Sequence, residues 1–168
     1  MDVRYINPFI AAIKNVFSTM VNTQVAVGKP MLRPDQIKSA DVSGVIGLSG
    51  DVTGAVVLSF PLDVACKVAS KFAGVELHSD HPDFTDAIGE LANMIAGNAK
   101  KDFTGLSVSI SLPSVICGHG HVVTQSVAAP QLMIPCNTDI GSFYVEVAMV
   151  VEKSSGNPAK TPAVGAAS

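Results

Sequence analysis

Two polar residues, Glu90 and Asn93, lie three positions apart in a segment whose apolar residues repeat with helical spacing. A helix over residues 83–103 would place the apolar residues in one stripe facing the core: Ile88, Leu91, Ala92, Ile95, Ala99 and Phe103. Glu90 and Asn93 would then share the opposite side, with Cβ atoms about 5–6 Å apart. A carboxylate can pair with a cation, and an amide can orient a water molecule without ionising. Both side chains can therefore enter one small cavity on a partner protein.

Three further residues fall on the same polar side of this helix and are predicted to contact a partner: Asp86, Gly97 and Lys101. Gly97 leaves room for a partner's backbone. Asp86 has a second interpretation, because three residues after Asp83 it can stabilise the first turn of the helix. These five residues, called the ridge below, also have a second interpretation as the solvated face that every amphipathic helix has. A Glu-x-x-Asn spacing is short enough to occur by chance.

The rest of the chain predicts the elements that position this helix. A first amphipathic helix covers residues 6–22, with Asn7 as cap and Pro8 as first helical residue. A β-hairpin over residues 42–60 and a short helix over residues 62–72 follow. Asp83 is expected to cap the long helix. Period-two patterns then predict strands at residues 107–112, 122–127, 131–135 and 142–152.

This order predicts an α/β (α+β) sandwich in which long helices pack on a largely antiparallel sheet. Both halves of the chain begin with an amphipathic helix and continue into a strand pair, which indicates an internal pseudo-two-fold duplication. Residues 1–152 are expected to form a single domain, and residues 153–168, rich in Ser, Gly, Pro and Ala, to form a disordered tail.

Composition limits the class of function. A net charge of −3 and a pI near 5.7 disfavour nucleic acid and anionic membranes as partners. The hydrophobic fraction of 48% indicates that more than one surface is covered, as in an oligomer. The absence of a secretory signal and of a run of about 20 apolar residues predicts a cytoplasmic protein. Cys66, Cys117 and Cys136 are interpreted as reduced core thiols, and the two histidine pairs, at 78/81 and 119/121, lack further ligands for a metal.

The residues around Glu90 and Asn93 carry a longer pattern. Asp86, Glu90 and Asn93 match the motif Asp or Ser, x3, Glu, x2, Asn, and the segments INPF at 6–9 and LPSVICG at 112–118 extend the likeness. The chain resembles the CheC/CheX family of chemotaxis response-regulator phosphatases. On the first helix Asn15 is present, but Ala12 and Pro8 replace the other two motif residues. The resemblance is therefore closest to CheX, with one site per subunit.

This resemblance implies an enzyme that dephosphorylates a phosphorylated CheY-type response regulator, and a homodimer joined through sheet edges. Asn93 would orient the attacking water. Glu90 would pair with the regulator's lysine, with general-base catalysis as its competing role. The chain would bind no cofactor or metal itself, and the regulator would supply Mg²⁺. A non-enzymatic chemotaxis or flagellar-switch binding module of the same fold is the alternative, and an enzyme that needs activation by another protein is a further one.

Overall fold

A computed structural model describes residues 3–35, 37–38, 40–124 and 128–152. The predicted tail at residues 153–168 and part of the predicted strand at 122–127 lie outside these residues, and the domain limits stay predictions. In the described ranges, no helix has the length and apolar character needed to cross a membrane.

The first helix, α1 (Val3–Val16), continues into a π-helical turn, Phe17–Val21, and ends at Asn22 in the left-handed conformation. Pro8 lies inside α1, so its predicted place as the first helical residue is wrong, as is the capping role of Asn7. Ile6 is only 4% exposed. The free energy gained by burying the helical turn before Pro8 exceeds the loss of the one backbone hydrogen bond that a proline removes.

Two further helices follow the first β-hairpin. Helix α2 (Leu62–Ala73) ends at Gly74, as predicted, with a left-handed φ of 72°. Helix α3 (Pro82–Lys101) is the predicted long helix, but its cap is His81 instead of Asp83. The N–H of Asp83 donates to His81 Nδ1 at 3.1 Å. Pro82 explains the correction, because proline favours the first helical position and places the cap one residue before it.

The described strands are all paired antiparallel in one sheet. They are β1 (Ala26–Val27), β2 (Met31–Leu32), β3 (Val42–Gly50), β4 (Val52–Phe60), β5 (Val108–Ile110), β6 (Ser114–Cys117), β7 (Leu132–Thr138) and β8 (Gly141–Val151). The predicted hairpin and the last two predicted strands are confirmed. The expected strand at residues 122–127 is wrong for its described part, residues 122–124, because β6 instead pairs with β3 at this edge. The short strands β1, β2 and β6 were not predicted.

The sheet order confirms the predicted pseudo-two-fold arrangement. Strands follow one another as β1-β7-β8-β4-β3-β5, with β2 also on β7 and β6 also on β3. Exchanging the first half of the chain with the second exchanges β3 with β7, β4 with β8, and β1 and β2 with β5 and β6. After this exchange the same strand order is obtained, read from the opposite edge of the sheet. Each half therefore contributes one central hairpin and one interrupted outer strand that pairs with the other half's hairpin.

The main core lies between the helices and one face of the sheet. The predicted apolar stripe is confirmed as buried, although α3 ends at Lys101, before Phe103. Its members are all 0–4% exposed: Ile88, Leu91, Ala92, Ile95, Ala99 and Phe103. Alternate residues of β8 supply the opposing surface: Phe143, Val145, Val147 and Met149. Cys136 belongs to this core, whereas Cys66 is partly exposed and Cys117 is exposed. The core-thiol interpretation is therefore wrong for Cys117, which lies on the outer strand β6.

The second face of the sheet buries polar groups. Glu146 of β8 is fully buried, and Arg33 Nε approaches its Oε2 to 3.1 Å, although this contact lacks the alignment of a hydrogen bond. Ser43 Oγ lies 2.8 Å from His121 Nε2 and 3.1 Å from Ser59 Oγ. Burial raises the pKa of the Glu146 carboxyl, and the Arg33 charge opposes this shift. These contacts hold residues from two connecting segments against the sheet.

Candidate functional site

Two glycines set how closely α3 lies against the sheet and its outer strand. A Cβ on Gly44 of β3 would lie 3.1 Å from Ala92 Cβ, and one on Gly89 of α3 would lie 3.3 Å from Pro113 Cβ and Cγ. Both contacts would be tighter than ordinary van der Waals contact. The missing side chains therefore let the middle of α3, with Glu90, approach the segment between β5 and β6.

The structure places Glu90 and Asn93 side by side on the outer surface of α3. Glu90 and Asp86 are exposed, and Asn93 is half-buried. Among the described residues, none of these three side chains forms a hydrogen bond or an ion pair within the chain. The acid and the amide are therefore available to a partner, and their neighbours Gly89 and Ala92 are packed beneath them.

The remaining members of the predicted ridge also lie on this surface. Gly97 is partly exposed, and a Cβ there would meet only Ile110 Cδ1, at 3.8 Å. Lys101 is exposed, and its Nζ donates to Asn98 Oδ1 at 3.5 Å. Asp86 lies beyond the first turn of a helix that begins at Pro82, so the alternative capping role for Asp86 is wrong.

A groove of about 470 Å³ runs beside the ridge. Its lining combines α3 with the outer strand: Thr85, Asp86, Gly89, Glu90, Pro113 and Val115. Thr85, Pro113 and Val115 were not predicted as site residues. The only sequence signal for Pro113 and Val115 was the LPSVICG segment, whose position next to α3 depends on how β6 pairs with β3, and no sequence signal indicated Thr85.

The corresponding surface of α1 carries no such pair. Asn15 is exposed, but Ala12 is 4% exposed and Pro8 is buried. The two positions that would carry the acidic motif residues on α1 therefore face the core. This arrangement agrees with the single site that the sequence predicted for the second half of the chain.

Comparisons with known proteins identify the family. Residues 42–137, which include all of α3, match the family described as Chemotaxis phosphatase CheX. The chain belongs to the CheX family. The CheY-P phosphatase CheX of Thermotoga maritima is 31% identical over 121 residues, which cover 70% of this chain and 78% of that protein. No single-residue role follows from these similarities.

Solved CheX structures share the fold. The chemotaxis protein CheX from Desulfovibrio desulfuricans superposes with a TM-score of 0.81 at 32% identity, covering 87% of this chain and 99% of that one. The CheX–CheY–BeF₃–Mg²⁺ complex from Borrelia burgdorferi gives a TM-score of 0.73 at 28% identity, covering 86% of this chain and 97% of the matched chain. The expected α+β architecture is therefore that of known CheX proteins.

Proposed function

We propose that this CheX-family protein hydrolyses the aspartyl phosphate of a CheY-type response regulator by inserting Glu90 and Asn93 into the regulator's phosphorylation pocket. The observation that carries this proposal is the exposed acid and the half-buried amide on the outer surface of α3, which have no partner among the described residues. The similarity of the chain to a CheY-P phosphatase and to CheX in a complex with CheY supports the choice of substrate.

Asn93 supplies the attacking geometry. Its side-chain carbonyl accepts a hydrogen bond from a water molecule and holds it in line with the phosphorus atom. The water oxygen forms the new P–O bond while the bond to the regulator's aspartate breaks. Inorganic phosphate and a free aspartate carboxylate result, and the water proton passes to phosphate or solvent. The regulator supplies the Mg²⁺ that neutralises the phosphoryl charge, and this chain contributes no cofactor.

Glu90 fixes the register of the two proteins. Its carboxylate pairs with the lysine beside the regulator's phosphorylation site, one helical turn from the water held by Asn93. The open surface at Gly97 leaves space for the regulator's backbone, and Asp86 and Lys101 contact the regulator at the two ends of the ridge. Glu90 therefore contributes to binding as well as to turnover.

The test measures phosphate release from a regulator phosphorylated by a small phosphodonor. Asn93→Ala is expected to lower kcat on the order of 10²-fold, about 2.7 kcal/mol, because the water is no longer oriented. Glu90→Ala is expected to raise KM and lower kcat. Asn15→Ala is the matched control, since Asn15 is an exposed amide at the corresponding position of α1, where no acidic motif residue accompanies it. Equal rates for Asn93→Ala and the unchanged protein would contradict the mechanism, and phosphate release no faster than from the regulator alone would favour a binding module.

We further propose a homodimer joined through sheet edges. The sheet ends in the interrupted strands β1 and β2 on one side and β5 and β6 on the other. Outer strands offer backbone donors and acceptors to a second copy. Sedimentation at a range of concentrations tests this assembly, and a monomer throughout the micromolar range would contradict it.

A further inference from the structure

The outer strand next to the catalytic helix contains a β-bulge. Ile110 pairs with Leu48, and Ser114 pairs with Val45. Three residues therefore separate Ile110 from Ser114, whereas only two residues of β3 separate their pairing partners. Ser111 still opposes Gly47, and Leu112 and Pro113 together therefore oppose Ile46. A bulge leaves one residue out of the ladder and changes the direction of its side chain.

This bulge is held in a defined conformation by Ser111. The N–H of Ser111 donates to the carbonyl of Gly47 at 2.9 Å, and the N–H of Gly47 donates to Ser111 Oγ at 2.9 Å. Ser111 Oγ in turn donates to the carbonyl of Leu112 at 2.8 Å. On the other side, Pro113 packs where Gly89 has no side chain. The bulge is therefore fixed relative to both β3 and α3.

Leu112 is 88% exposed, while its neighbour Pro113 and the nearby Val115 form the apolar wall of the groove whose other wall contains Glu90. A single exposed leucine needs no explanation. This one, however, lies on a bulge that is fixed against β3 and α3, and it directly precedes Pro113, which lines the groove together with Glu90.

We propose that Leu112, with Pro113 and Val115, forms the apolar half of the docking surface for the phosphorylated CheY-type regulator. This inference rests on the proposed function. The occupant is the regulator, through an apolar side chain beside its phosphorylation pocket, because the groove joins Pro113 and Val115 directly to Asp86 and Glu90 of the ridge. Leu112 is thus a specificity-determining contact, distinct from the groups that act on phosphate and water.

The test separates binding from turnover. Binding is measured with the regulator loaded with beryllium fluoride and Mg²⁺, and turnover with the regulator phosphorylated by a small phosphodonor. Leu112→Ala is expected to raise both Kd and KM about fivefold, and Leu112→Asp more than about tenfold, as for the central apolar contact of an interface. Because Leu112 lies outside the catalytic pair, kcat at saturation is expected to stay within about twofold.

Val75→Asp is the matched control. Val75 is 58% exposed in the loop after α2, away from both outer strands, and its replacement is expected to leave Kd and KM unchanged. An unchanged Kd for Leu112→Asp would overturn the proposal. So would a change in sedimentation of Leu112→Asp without regulator, because it would make this surface a contact between copies. If the unchanged protein binds the regulator without accelerating phosphate release, the proposed function fails, whereas the loss of binding in Leu112→Asp still supports the docking surface.

Discussion

Replacing Arg33 by methionine would leave the carboxylate of Glu146 buried without its charge partner. Glu146 has no exposed side-chain surface, the Arg33 side chain is 7% exposed, and the closest atoms are 3.1 Å apart. At that distance and an effective dielectric constant of about 20, the attraction between the two charges is about 5 kcal/mol. Methionine retains much of the arginine side-chain volume, so the loss is expected to come mainly from the charge.

The expected destabilisation of Arg33→Met at neutral pH is about 3–5 kcal/mol, the range for removing one member of a buried ion pair. For a chain of this size, this corresponds to a melting temperature lower by about 10 °C. Urea unfolding followed by circular dichroism measures the free energy directly. Glu76→Gln is the control: it removes a carboxylate that is 80% exposed and contacts His78 at the surface, and it is expected to change stability by less than about 0.5 kcal/mol.

The pH dependence identifies the cause. Burial already raises the pKa of Glu146, and removal of the Arg33 charge raises this pKa further. The folded interior favours the protonated form of Glu146. The contribution of this form to the free energy of unfolding is fully present below the unfolded glutamate pKa of about 4.3, and it is lost as pH rises through the folded pKa. The deficit of Arg33→Met is therefore expected to be small near pH 4 and to grow toward neutral pH.

A double variant gives a second check. Replacing both Arg33 and Glu146 by methionine removes both buried charges and is expected to recover at least half of the lost stability. A deficit in Arg33→Met that is the same at pH 4 and pH 7 would refute the electrostatic explanation. It would assign the loss to packing of the segment that carries Arg33.

Two other predictions concern the sheet. Gly54→Ala is expected to lower the free energy of unfolding, measured in urea, by about 3 kcal/mol or more, because the new Cβ would lie 2.0 Å from the carbonyl oxygen of Ala148. Gly47→Ala is the control, since its Cβ would have no atom nearer than 3.4 Å. Burial raises the pKa of the Cys136 thiol to about 12, so a thiol reagent is expected to modify exposed Cys117 in the folded protein and Cys136 only after denaturant is added. Rapid modification of Cys136 without denaturant would contradict its burial.

The sequence predicted best the features that depend on one long periodic pattern. The stripe from Ile88 to Phe103 identified α3, and the alternation around Val145 identified β8. The positions of exposed Glu90 and half-buried Asn93 on the outer surface of α3 follow from the same helical spacing. Their chemical roles come from the family motif and stay proposals, because position on a helix does not specify what a side chain does.

Features that depend on contacts between distant segments were not predicted. Strands β1 and β2 have two residues each, too few for a period-two pattern. Glu146 occupies a position of β8 that alternation would assign to solvent, and only the packing of Arg33 from another segment buries it. The errors at Pro8 and Asp83 had a different origin, since local capping preferences are weaker than the burial and proline geometry that set the true helix starts.

The bulge at Leu112 and Pro113 and the pair Glu90 and Asn93 together explain why one half of a symmetric fold carries the proposed chemistry. The first half has an equivalent bulge: Val27 pairs with Cys136 and Met31 with Met133, so that Lys29 and Pro30 oppose Ile134. Both halves thus place a proline after a bulged residue on an outer strand. In the second half that residue is Leu112, and α3 carries exposed Glu90 and half-buried Asn93 on its outer surface, whereas α1 buries Ala12 and Pro8. The proposed function requires both a docking surface and an oriented water, and only the second half provides both. Ala12→Glu alone is expected to place a carboxylate in the core and not to create a second site.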